Sequence, residues 1–303
     1  MSPQQKEWEG ATGGGRFGQR FLFWILNIIK VSFLYPTLFG VIPFYLLFAR
    51  KGYQSIYSYF RIQHQQTAWK AFCSTYRNHI IFGKVVLDKF ALLSGNHQQF
   101  KIQVEGNDYF NALIEQEKGF IIAGAHIGNF ELIGHCFKQD KKKINGIIFG
   151  GEGKEFQTQR IKSLQRSHVN LIPVSNDMSH IFAIKEAIDK GEIITLPCDR
   201  LFGSTKHFTT RFLGSNADFP IGTFRLASQL DAPILTMFIM KLRDLHYQVY
   251  VYPLQTLPNE KSSVKKAEFL AQQYVDLLEN ILKKYPEQWF NYYDFWKIKK
   301  NGN

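Results

Sequence analysis

Apolar residues fall along the chain in three patterns. The first is a long stretch near the start. Residues 21–29 form one apolar run, Lys30 interrupts it, and residues 31–49 carry no charge before Arg50 and Lys51 close the stretch. That is long enough to cross a bilayer, but Pro36 and Pro43 kink or break a single helix. Two short helices dipping into one leaflet are expected, with a buried core hairpin as the competing reading. The second pattern is a set of short apolar runs bounded by turn residues: 120–125 (FIIAGA), 144–149, 169–174 and 192–197 (EIITLP). Such runs read as strands buried on both faces of a parallel sheet. Residues 101–105 (KIQVE) and 246–252 alternate instead, the latter as an antiparallel neighbour of a strand that begins at 232–235. The third pattern is helical, over 53–93, 110–117, 156–167, 178–190 and the amphipathic 265–284. Strands alternating with helices predict an α/β fold, a mostly parallel twisted sheet flanked by helices. The hydrophobic helical segment at 1–52 is expected to attach it to a membrane, with one domain over 53–303.

Polar chemistry gathers where the buried strands end. The run 120–125 stops at His126, Gly128 and Asn129 favour a tight turn, and residues 130–133 read as the first turns of a helix. Glu131 lies five residues after His126. On one regular helix that spacing places side chains roughly 140° apart, so the two meet only if His126 closes the strand and Glu131 opens the helix. In α/β sheets ligands bind at strand carboxyl ends. A carboxylate in the first turn is favoured by the helix dipole. It can hold one imidazole nitrogen and leave the other to take a proton. The competing reading is a chance pair with a structural role. A second strand end, at 197, runs into Cys198-Asp199-Arg200, where an arginine can meet phosphate or a developing oxyanion. The alternative there is a local ion pair.

These residues resemble a known family. His126-Ile127-Gly128-Asn129-Phe130-Glu131 is similar to the HFGNWE block of the late lipid A acyltransferases, within the wider lysophospholipid and glycerolipid acyltransferase superfamily. The similarity runs in order from Val104 to Trp289. LPCDR at 196–200 resembles the family's third block, and Phe212-Leu213-Gly214, Phe219-Pro220-Ile221-Gly222 and Pro286-Glu287-Gln288-Trp289 resemble later ones. The resemblance implies acyl transfer from an acyl thioester, on acyl carrier protein or coenzyme A, to a lipid or glycolipid hydroxyl. His126 would be the general base and Glu131 its orienter. Gly128, Asn129, Arg160, Asp199, Arg200 and Gly214 would contact substrate, the backbone amides at Gly128 included. It implies no metal or cofactor, and a place at the cytoplasmic face of a bacterial inner membrane. One departure bears on the acceptor. Where the family continues with His-Arg-Arg after the closing block, this chain has Phe290-Asn291-Tyr292-Tyr293-Asp294-Phe295-Trp296. Losing a cluster that suits phosphate suggests a less anionic acceptor than lipid A, such as an amino-acid lipid, a polyene or another glycolipid.

Composition narrows the rivals. Of 303 residues, 45% are hydrophobic and 16% aromatic, which argues against disorder. The net charge of +12 points to an anionic partner: nucleic acid, phospholipid headgroups or an acidic carrier. A nucleic-acid reading rests on charge alone, since no recognised binding pattern accompanies it. A non-enzymatic lipid-binding protein has no use for the His-acid pair. Cys73, Cys136 and Cys198 form no CxxC pair, so neither a zinc site nor a disulfide framework is indicated. Gly13, Gly15 and Gly18 match GxGxxG, but no strand precedes them and no βαβ unit surrounds them.

Overall fold

The computed structural model describes residues 15–48, 50–136, 141–148, 169–174, 177, 179–201 and 206–296. Its centre is a seven-stranded sheet built from β1 (Lys101–Glu105), β2 (Phe120–Gly124), β3 (Ile144–Ile148), β4 (Val169–Pro173), β5 (Ile193–Pro197), β8 (Ile234–Arg243) and β9 (His246–Pro253), in the order β1-β9-β8-β2-β5-β3-β4. Strands β8, β2, β5, β3 and β4 are parallel, and β9 pairs antiparallel with β8. The expected α/β class and mostly parallel sheet are what the structure shows. A separate hairpin, β6 (His207–Phe212) and β7 (Ser215–Pro220), was not anticipated.

Strands β2, β3 and β5 are largely buried on both faces because helices cover both. On one face Ile121, Ala123, Ile194, Ile234 and Phe238 pack with the helices α6 (Ser179–Asp189), α7 (Gly222–Leu230) and α8 (Ser263–Lys284). On the other, Phe120, Ile122, Ile193, Leu235, Met237 and Tyr247 pack with α4 (Ala68–Leu93), through Phe90 to Leu92, and with Phe110 of α5 (Asn107–Ile114). At about 25 cal/mol per Å² of apolar surface, burying a Leu, Ile or Phe contributes roughly 1.5–3 kcal/mol. The two clusters are therefore the main source of stability.

The N-terminal apolar stretch forms α1 (Gly15–Leu26), a 3-10 helix (Val31–Thr37), α2 (Leu38–Phe48) and α3 (Arg50–Ser58), the last followed by a π-helical turn (Tyr59–Gln63). Both prolines lie within helical structure, Pro36 in the 3-10 helix and Pro43 inside α2. A helical proline leaves the carbonyl four residues earlier without its N–H partner. Here that carbonyl, Phe39 O, accepts the Tyr76 hydroxyl of α4 at 3.4 Å. Residues 31–48 thus form one helical run long and apolar enough to cross a membrane by length and composition. Leu26, Val31 and Tyr35 join the α4-side core, and Leu38 and Ile42 pack on Ile80. Phe33, Phe39, Phe44, Leu47 and Phe48 are exposed.

Candidate active site

The site follows from strand register. β2 and β5 are adjacent and parallel, with Gly124 opposite Pro197. His126 lies two residues past the end of one strand and Asp199 two past the end of the other, so the pleat delivers both to one spot. His126 Nδ1 lies 2.7 Å from Asp199 Oδ1, and the His126 backbone N–H donates to Asp199 Oδ2 at 3.1 Å. The Trp289 indole N–H also donates to Oδ2, at 3.1 Å. The imidazole retains 29% of its exposure, whereas the carboxylate has none.

The chain after β2 is clamped. Gly128 has φ +52°, and a side chain there would meet Ile239 O at 1.9 Å, so only glycine lets the turn lie against β8. The Gly128 N–H donates to Gln288 O at 2.9 Å and the Asn129 N–H to Ile239 O at 2.8 Å. The Phe290 N–H returns a bond to His126 O at 3.0 Å. Residues 286–290 thus close the site as a lid of fixed backbone, with Trp289 fully buried among Tyr59, Phe212, Phe295 and Trp296.

Electrostatics keep the dyad poised. Burial pushes His126 below its ordinary value of 6.5, Asp199 opposes that fall, and the Arg200 charge adds to it. Burial pushes Asp199 up, but His126, Arg200 and the Trp289 N–H outweigh burial and hold the carboxyl below the usual carboxylate range. The result is a neutral imidazole against an ionised carboxylate near neutral pH. With Nδ1 hydrogen-bonded to Asp199, Nε2 is the nitrogen suited to accept a proton.

The family model for bacterial lipid A biosynthesis acyltransferase matches residues 76–298, most of the chain, including His126, Asp199 and the closing residues 286–290. The chain belongs to this family. It is an acyltransferase, and it acts on a lipid acceptor. No curated protein matches it. Among solved structures, the crystal structure of the 1-acyl-sn-glycerophosphate (LPA) acyltransferase PlsC from Thermotoga maritima matches at 12% identity and a TM-score of 0.37, covering 80% of this chain and 98% of that one.

In this acyltransferase several residues expected at the substrate do other work. The orienting carboxylate on Nδ1 is Asp199, expected only as a substrate contact. Glu131 has its backbone in the 3-10 turn Phe130–Leu132, and its side chain lies outside the described residues. Arg160 also lies outside them. The amides of Gly128 and Asn129 cannot serve an oxyanion, because Gln288 and Ile239 take them. Asn129 is 1% exposed, and its side chain donates to Tyr247 Oη rather than facing substrate. Gly214 is a hairpin residue at φ +86°, explained by the β6–β7 turn. Arg200 is beside the dyad: one guanidinium nitrogen donates to Phe290 O at 2.9 Å, the group lies over the Tyr293 ring, and its Nε has no hydrogen-bond partner. Gln288, Trp289 and Tyr274, which donates to Gly124 O at 2.7 Å, were not anticipated as supports of the site. The signal for two of them was the closing Pro286–Trp289 block itself.

Proposed function

We propose that this enzyme transfers a fatty acyl group from a thioester, carried by acyl carrier protein or coenzyme A, to a hydroxyl of a membrane lipid, with His126 as general base. The observation that carries this reading is the 2.7 Å contact between a partly exposed imidazole and a wholly buried carboxylate at adjacent strand ends. The acceptor oxygen attacks the thioester carbonyl carbon while its proton passes to His126 Nε2. The C–S bond then breaks, the thiolate takes the proton from the imidazolium, and an ester and a free thiol result. Asp199 stays ionised and stabilises the imidazolium through Nδ1. Arg200 retains guanidinium N–H donors beyond the one given to Phe290, and these suit the negative charge that develops on the carbonyl oxygen. Glu131 keeps a place in the proposal as the acid of the family's motif, with a lesser share of the orienting role because Asp199 already holds Nδ1. The protein works at the cytoplasmic face of a bacterial inner membrane, held there by the exposed side of residues 31–48.

For the acceptor we favour a lipid with a less anionic headgroup than lipid A. The tail that replaces the family's basic cluster lines a cavity of about 240 Å³ with residues such as Tyr59, Gln63, Asn216, Asn291 and Trp296, and among the described residues Asp294 is the one charged side chain lining it. Tyr59 Oη, Asn291 Oδ1 and Trp296 Nε1 have no hydrogen-bond partner. Such a wall suits hydroxyl or amine groups and repels phosphate. The test is deletion of the gene in its host, complementation with wild type or His126→Ala, and mass spectrometry of total lipids. A non-lipid-A species lighter by one acyl chain, restored by wild type and not by His126→Ala, is the expected result. Loss of an acyl chain from lipid A overturns the acceptor assignment. Restoration by His126→Ala overturns the mechanism.

A further inference from the structure

A buried polar cluster joins the apolar segment to the catalytic turn. Asp88 of α4 and Lys241 of β8 pair at 2.5 Å with side chains 0% and 4% exposed. Tyr35 of the 3-10 helix donates its hydroxyl to one Asp88 oxygen, and Tyr247 of β9 donates to the other. All three ammonium protons of Lys241 are used: one goes to Asp88, one to Tyr35 Oη at 3.3 Å, and one to Tyr247 Oη at 3.2 Å. Tyr247 Oη also accepts from Asn129 Nδ2 at 3.2 Å. A continuous run of hydrogen bonds therefore leads from residue 35 to residue 129, three positions after His126.

A second route reaches the same turn. The Lys241 backbone N–H donates to Gln288 Oε1 at 2.8 Å, and its carbonyl accepts from Gln288 Nε2 at 2.7 Å. The Gln288 carbonyl in turn accepts the Gly128 N–H. A buried ion pair is often no more stabilising than well-packed apolar residues of the same volume, so stability alone gives little reason for this cluster. What sets it apart is where its ends lie. One is the catalytic turn. The other is Tyr35, 2% exposed, in a segment where Phe33 and Phe39 project into solvent.

We propose that Tyr35, Asp88, Lys241 and Tyr247 are positioning residues for His126, and that through them turnover responds to the seating of residues 31–48 on a lipid surface. The proposal rests on His126 being the base. Its test is Tyr35→Phe, which keeps the ring and its packing and removes one hydroxyl. Turnover of the acyl thioester is measured with and without vesicles of phosphatidylethanolamine and phosphatidylglycerol. Wild type is expected to speed up when vesicles are added. In Tyr35→Phe, kcat per folded molecule falls roughly tenfold, the scale of one lost hydrogen bond to a charged group. KM for the thioester and vesicle binding hold, and the vesicle response is lost. Tyr247→Phe gives the same pattern, and the double variant loses less than the product of the two, because both act on one cluster. A Tyr35→Phe protein with wild-type kcat and wild-type vesicle response overturns the proposal. So does a rate loss fully explained by a smaller folded fraction. If that happens beside an inactive His126→Ala, the chemistry stands and the coupling alone fails. An active His126→Ala removes the base on which the proposal depends.

Discussion

His126 and Asp199 close two buried strands and meet through Nδ1 and Oδ1. They are 73 positions apart, and what joins them is the placement of β5 beside β2, which no local pattern states. Glu131 was the nearer acid and so took the orienting role on spacing. The two acids can be separated by measurement. Asp199→Asn removes the charge that stabilises the imidazolium and is expected to lower kcat by roughly 10²–10⁴-fold, close to the loss for His126→Ala. Glu131→Gln is expected to fall less far. Acyl-transfer assays that rank Glu131→Gln below Asp199→Asn would return the orienting role to Glu131. The pH dependence carries the same logic. An unfolded histidine holds its proton up to about 6.5, while the folded His126 releases its proton at lower pH. Between those values the unfolded chain binds more protons, so stability rises with pH there and is lost as pH falls below 6.5. Asp199, depressed in the folded state, adds stability that is present above its unfolded value and is lost as pH falls through the folded one. The acid limb of kcat/KM is therefore expected below 6.5, and a limb above that value would contradict a burial-lowered base.

At the scale of elements, β2, β3 and β5 were the easiest to read because each is a bounded apolar run covered on both faces. The β6–β7 hairpin escaped for a specific reason. Two-residue hairpin turns of type I′ need left-handed backbone at both central positions and usually show it as Asn-Gly or Asp-Gly. Here the pair is Leu213, φ +50°, and Gly214, φ +86°, and leucine hides the signal. The apolar segment was legible by composition, while its division into two sides was not. Leu38 and Ile42 face α4, and Phe33, Phe44 and Phe48 are 70%, 66% and 73% exposed. Deleting the segment would strip the core along with the surface, so point changes test it better. Phe33→Ser, Phe44→Ser and Phe48→Ser together are expected to abolish co-sedimentation with vesicles while the thermal midpoint holds. Leu38→Ala is expected to do the reverse, costing about 2–3 kcal/mol of stability with vesicle binding intact. Vesicle binding that survives the triple change would place the attachment elsewhere.

Across the whole molecule, class and family could be read from the order of strands and strand-end blocks, whereas strand order within the sheet could not. That order has a consequence for how the enzyme is born. A chain emerges from the ribosome N-terminus first, at about 5–20 residues per second, and non-local pairings must wait for their partners. His126 appears early, but Asp199 arrives 73 residues later, after β3 and β4. The N–H of Trp289, which fixes the carboxylate, comes 90 residues later still, and the Gln288 carbonyl that fixes the turn comes just before it. A chain stopped at residue 285 would hold both members of the dyad and neither clamp. Such a fragment is expected to be inert toward acyl thioester in a cell-free synthesis, and an active one would show that the clamp is dispensable. If the growing protein is already attached to a membrane as proposed, it would have no working catalytic centre there until residues 286–290 have been made.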